Sequence, residues 1–119
     1  MAYNYNGSGA FAPSGINYLV TSTANVSTTV TELKAAAAVQ ILSDQNVAVQ
    51  FNVTDDSTEP EAVFPISDGD IGQGVIIQKD RQTVIALPQV ASYNTSGVMF
   101  VAVASDVAAN VYISLGDLV

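Results

Sequence analysis

The feature that most constrains this chain is the run Val47-Ala48-Val49-Gln50-Phe51-Asn52-Val53, where large apolar side chains alternate strictly with Ala, Gln and Asn. Side chains along a β-strand point to opposite faces with a period of two, so this pattern buries one face and wets the other. Wound as a helix, the same residues would scatter round the circumference and form no apolar stripe. The run therefore commits its neighbourhood to a sheet, and the rest of the chain must supply strands to pair with it.

Texture of that kind recurs after Ile16. Tyr18 to Val30 is dominated by Thr, Val and Ser, whose branching or polarity disfavours helix, and is expected as strand. Val39-Gln40-Ile41 ends at Ser43-Asp44-Gln45-Asn46, a composition suited to a tight reversal, so 38–42 and 47–53 are expected to form a β-hairpin. Val63-Phe64-Pro65-Ile66 reads as a short strand held to a sheet edge, because Pro65 has no N–H for a ladder. A second hairpin is expected from 74–78 and 83–87 through Lys79-Asp80-Arg81-Gln82, and Val98–Val103 and Asn110–Leu115 flank a turn at Ser105-Asp106. Val98–Val103 is apolar on both faces, as a central strand would be. One segment has an alternative: Thr29-Val30-Thr31-Glu32 resembles a capping box, and Glu32 to Ala38 has helix propensity, so a short helix or turn competes with strand there.

About eight short strands with turn signals between them indicate an all-β fold, a small β-sandwich or β-barrel of the jelly-roll or β-tulip kind. Its domain is expected over residues 16–119. Residues 1–15, rich in Tyr, Asn, Gly, Ser and Ala with Pro13, show no period and read as an extended N-terminal arm. A chain of 119 residues holds one core and not two.

Charge narrows the choice of partners. Eleven acids against the three bases Lys34, Lys79 and Arg81 leave a formal charge of −8. A phosphate backbone draws affinity from clustered Lys and Arg, so neither nucleic acid nor an anionic membrane is an expected partner. No apolar stretch approaches the ~20 residues of a membrane helix. Met1 to Gly9 lacks the basic and apolar regions of a secretory signal, and the chain reads as a complete small product. With 49% hydrophobic residues and only 12% charged, some apolar surface is expected to meet a partner.

The chain contains neither His nor Cys, which removes the commonest general base, the imidazole metal ligand and the thiol nucleophile. What remains is carboxylate chemistry from Asp55, Asp56, Glu59 and Glu61 in one loop and Asp68-Gly69-Asp70 in another. Neither loop has the spacing of a calcium-binding loop, and both read as solvated turns. Gly69, Gly72 and Gly74 do not form the dinucleotide fingerprint and read as turn glycines. No catalytic residue, cofactor or metal is expected, and the chain is expected not to be an enzyme. The aromatics of the arm, Tyr3, Tyr5 and Phe11, can fold back on their own domain or anchor in pockets of a partner.

The Tyr/Asn/Gly arm, the run Val26-Ser27-Thr28-Thr29-Val30-Thr31, the stretch from Ala38 to Val53 and the acidic Cys-free composition together resemble small structural proteins of tailed bacteriophages. Among these the chain looks most like the capsid decoration, or cement, proteins. The resemblance covers about residues 16–119 in texture and includes no diagnostic motif. It implies a location on the outer surface of the virion, the major capsid protein lattice as partner, and a homotrimer as the assembly. A head-fibre, neck or tail component is the nearest alternative, and a carbohydrate-binding adhesion module is the alternative from another class.

Overall fold

The computed structural model describes residues 11–34, 36–51, 60–87 and 98–118. They form strands β1 (Phe11–Ser22), β2 (Thr28–Lys34), β3 (Ala38–Ser43), β4 (Val47–Phe51), β5 (Val75–Ile77), β6 (Thr83–Ala86), β7 (Val98–Ala104) and β8 (Ala109–Leu118). There is no helix among the described residues. The strands make two antiparallel four-stranded sheets, ordered β1-β8-β3-β6 and β2-β7-β4-β5. That is the strand order of an eight-stranded jelly roll, two interlocked Greek keys closed as a sandwich. The expected all-β sandwich is thus the fold.

The core is the layer between the sheets. From one sheet it takes Val20, Val39, Ile41, Val111 and Ile113, and from the other Leu33, Val47, Val49, Met99, Val101 and Val103, all essentially without solvent exposure. Each such side chain contributes about 1.5–3 kcal/mol on burial. The alternation read at Val47, Val49 and Phe51 faces this layer, as expected. β7 lies between β2 and β4, and both of its faces are covered, Met99, Val101 and Val103 by the core and Ala102 and Ala104 by Ala62 and Phe64, which explains an apolar run with little alternation.

The pairing of the strands differs from the sequence expectation. β3 and β4 lie in opposite sheets, so 38–42 and 47–53 form an arch over the core and not a hairpin. The same holds for β5 and β6; β7 and β8 also lie in opposite sheets, joined across the reversal expected at Ser105-Asp106. Turn composition sets a reversal of direction but not whether the ladder closes across it. At Ser43–Asn46 Gln45 N donates to Ser43 Oγ at 3.2 Å within the turn, and the other polar groups face β8 and the next turn. Asp44 N donates to the Asn110 carbonyl at 3.2 Å, and Asn110 N donates to Asp44 Oδ1 at 2.8 Å. Asp80 N donates to the Ser43 carbonyl at 2.9 Å, and Lys79 N to Asn46 Oδ1 at 2.7 Å. Asn25 N likewise donates to the Ser105 carbonyl at 2.8 Å, so the short arches brace one another at one end of the sandwich. Asn25 and Asp80 take positive φ of 61° and 58°, which their short side chains tolerate.

Three further boundaries move. Tyr18–Val30 is not one strand: it breaks at Thr23–Ser27, where the chain leaves one sheet for the other. The helical alternative gives way to β2, whose Leu33 is wholly buried and whose Lys34 N donates to Tyr18 Oη at 3.2 Å. Burial of Leu33 between the sheets outweighs the local propensity. Val63–Ile66 forms only a single bridge, Val63 to Gln73, because Pro65 cannot extend it.

β1 opens at Phe11, so residues 11–15, expected within the arm, are in the sheet beside β8. A register shift between Pro13 and Asn17 accommodates the Pro and Gly there, with Gly15 at φ 92° and Ser14 Oγ donating to the Leu115 carbonyl at 3.0 Å. These interruptions blunt an edge strand. Residues 1–10 lie outside the described residues.

Candidate docking face

The outer faces of the two sheets are finished differently. On β2-β7-β4-β5 the outward residues include Ala48, Ala102 and Ala104, and the β4–β5 connection lies on them with Ala62 and Phe64. Small side chains let that segment approach closely, and Ala62 N donates to Ser27 Oγ at 3.1 Å to hold it there. Gly74, at φ 110°, returns the segment to the sheet so near Val49 that a Cβ would lie 2.7 Å from the Val49 carbonyl oxygen.

The outer face of β1-β8-β3-β6 carries large apolar groups in the open. Tyr112 is paired with Leu19 on one side and Leu42 on the other, so the three form one row across β1, β8 and β3. Their exposures are 55% for Leu19, 50% for Tyr112 and 39% for Leu42. Directly opposite residues in a ladder are about 5 Å apart, so the row spans roughly 10 Å. Above and below it lie Asn17, Thr21, Asn110, Ser114 and Gln40, in phase with the row on the same strands. Ser114 Oγ donates to Asn17 Oδ1 at 2.6 Å, and Asn110 Nδ2 donates to Asp44 Oδ2 at 3.2 Å. The strand segments Asn17–Thr21, Gln40–Leu42 and Asn110–Ser114 contain no formally charged residue. Asp44 stands at the border, and its carboxylate accepts both bonds from Asn110. An aromatic centre flanked by leucines, depleted of charge and rimmed by amides and hydroxyls, has the make-up of a contact surface.

Of the aromatic residues expected to anchor a partner, Tyr3 and Tyr5 lie outside the described residues. Phe11 is half-buried at the start of β1 and lies against Gly116 of β8. A Cβ at Gly116 would sit 2.6 Å from Phe11 Cζ and would also collide with the Ala12 carbonyl oxygen. Glycine is what lets the ring settle on its own sheet.

The loop acids separate. Asp55, Asp56 and Glu59 fall outside the described residues. Asp70 Oδ2 accepts from Ile66 N at 3.2 Å and Ser67 N at 2.9 Å, which ties its carboxylate to its own turn. Glu61 and Asp70 border a depression of about 380 Å³ together with Ser27, Phe64 and Ser105. Among the described residues no group of three or more His, Cys, Asp or Glu converges in metal-binding geometry. Gly69 and Gly74 both take positive φ, in keeping with turn glycines.

Leu19, Leu42 and Tyr112 were not singled out as site residues from sequence. The signal is nevertheless present: each is a large apolar residue on the polar phase of its strand, Leu19 between Asn17 and Thr21, Leu42 after Gln40, Tyr112 between Asn110 and Ser114. Only the register brings the three together. Compared with protein-family models, with curated proteins and with solved structures, the chain matches none.

Proposed function

We propose that this chain is a non-enzymatic virion structural protein, a capsid decoration protein of the tailed-phage kind that sits on the outside of the head and bridges neighbouring capsid subunits. The observation that carries the reading is the exposed row Leu19-Tyr112-Leu42 on a rigid sheet, a surface organised for contact. The jelly-roll strand order adds a fold-level analogy, since capsid domains use it, although lectin domains do as well. The excess of acids suits the outside of a particle, where it keeps assembled particles apart. Stabilisation follows from mass action: a protein that binds only the mature lattice favours it in proportion to the logarithm of its concentration over its dissociation constant. In this reading Tyr3 and Tyr5 of the arm are the anchors on the lattice, and the assembled state on the head is a trimer.

A second reading rests on Tyr112 itself, an exposed ring flanked by Asn17, Asn110 and Ser114, groups that stack on and hydrogen-bond to a sugar. One experiment separates the two. Purified protein is added to heads lacking their decoration and imaged by cryo-electron microscopy, with a glycan titration in parallel. Regular density on the outer head surface and a raised melting temperature of the heads are expected. Density at the neck or tail would move the protein to another virion position. Bare heads at ~100 µM protein, far above the range of specific affinities, would sink the reading, and saturable glycan binding would replace it.

A further inference from the structure

We propose that the outer face of β1-β8-β3-β6 is where a second copy of this chain docks, as a two-fold pair centred on Tyr112. The inference does not rest on the virion reading. It starts from charge. Two chains of −8 repel each other wherever their acids are presented, and the described acids Glu61, Asp68, Asp70, Asp80 and Asp106 lie on the connections between strands, Glu32 on β2 of the other sheet, and Asp117 opposite Ala12 at the end of β8 away from Asn110. The ladder around Tyr112 presents none, and the bordering Asp44 is engaged by Asn110. A cationic partner would be drawn to the acids instead, whereas a like-charged copy can approach closely only through a neutral face.

The pattern is also self-complementary. A two-fold axis parallel to the strands and passing beside Tyr112 lays Leu19 of one copy over Leu42 of the other and places the two Tyr112 rings side by side, where offset stacking is favourable. Asn17, Gln40, Asn110, Ser114 and Thr21 each carry donors and acceptors, so the rim can satisfy an identical rim. Such matching of a patch with itself is what an isologous contact requires.

Size predicts how strong the pairing is. Four strands about 4.8 Å apart and about six residues long give roughly 400 Å² per copy. Stable specific interfaces bury about 800 Å² per partner, so this dimer is weak, with a dissociation constant on the order of 0.1 mM. The pair is therefore monomeric when dilute and forms where copies are held at high local concentration.

Sedimentation velocity on the full chain from ~10 µM to ~1 mM tests this, the range bracketing that constant. A shift from monomer to dimer is expected, weakened at least tenfold by Tyr112→Glu and unchanged by Glu61→Gln on the connection that covers the opposite sheet. Because the chain has no cysteine, Tyr112→Cys carries the sole thiol, and in a two-fold pair of sheets packed about 10 Å apart the two thiols should be joined by a bismaleimide of matching span, each adding to a maleimide double bond. Circular dichroism and melting temperature check that each variant folds, and Leu19→Lys replaces Tyr112→Glu if that variant does not. Monomer at every concentration overturns the proposal, as does an oligomer indifferent to Tyr112→Glu and Leu19→Lys, or a dimer whose Tyr112→Cys form does not cross-link. A dimer through this face would occupy the row Leu19-Tyr112-Leu42 and leave the proposed lattice contact to Tyr3 and Tyr5 of the arm, whereas bare heads would not bear on the dimer.

Discussion

The outer face of β2-β7-β4-β5 and the outer face of β1-β8-β3-β6 begin as equivalent surfaces of one sandwich. On the first, alanines at 48, 102 and 104 leave room for the chain to lay its own β4–β5 connection down, with Ala62 and Phe64 packed on them. On the second, Leu19, Tyr112 and Leu42 stand up from the sheet with about half of their surface in solvent. Small side chains invite cover from the same chain, and large ones above a polar rim await cover from another. Exposed apolar area is not confined to the second face, since Ile66 and Ile71 of the connection over the first are 60% and 87% exposed; what distinguishes the second is that its three side chains stand in one register row on the sheet itself. The difference divides the molecule into a face whose residues determine stability and a face on which the proposed association would depend.

Substitution with the same charge on both faces should separate these roles most sharply. Ala102 has no exposure, so Ala102→Asp buries a carboxylate with no cation beside it on that sheet, at a cost of ~3 kcal/mol or more. Thr21→Asp on the other face should stay within about 0.5 kcal/mol. Urea unfolding of dilute protein reads both, as a midpoint shift at constant slope. Equal midpoints for the two variants would mean that the first face is not covered as described.

The fastening of the cover can be tested at its glycines. Gly74→Ala must adopt a left-handed backbone and also press a methyl on the Val49 carbonyl, whereas Gly69→Ala meets nothing within 4 Å. The first should cost about 2 kcal/mol and the second about 1 kcal/mol, since only the backbone penalty is common to both. Gly74→Ala should also speed proteolysis within residues 60–74 more than Gly69→Ala does, which limited digestion measures.

The smallest effects compare side chains directly. Phe64→Ala, which strips a partly buried ring from the alanine cluster, should lower stability by about 1–2 kcal/mol, less than the ~3–5 kcal/mol of a fully buried ring. Leu19→Ser should change monomer stability by no more than about 0.5 kcal/mol while weakening self-association. Melting of dilute protein and sedimentation of concentrated protein together check the pair. A loss of stability from Leu19→Ser as large as that from Phe64→Ala would show that the open face is closed within the monomer.

Much of the fold was legible residue by residue. The alternation at Val47–Phe51 and the two-sided apolar run ending at Val103 identify a one-face and a central strand, because burial on each face leaves its own period. Glu32–Ala38 was misleading locally, as its propensity says nothing of the core that claims Leu33. The site was half-legible. Tyr112 between Asn110 and Ser114 is visibly out of phase, but nothing in three separate strands states that Leu19 and Leu42 flank it.

By itself the sequence determined that the chain is all-β, where its principal strands run and which of their residues point inward, since these depend on the period of two and on turn-forming residues close in the chain. It also determined the excess of acids and the lack of His and Cys. Only the tertiary structure decided which strand lies beside which. A turn records that the chain reverses, and a hairpin and an arch ask the same of it. The choice is made by the sum of long-range contacts, here by polar groups of Ser43–Asn46 meeting Asn110 and the β5–β6 turn, and by two apolar faces that can be buried only against each other. That choice set β8 between β1 and β3, and with it the row on which Tyr112 stands.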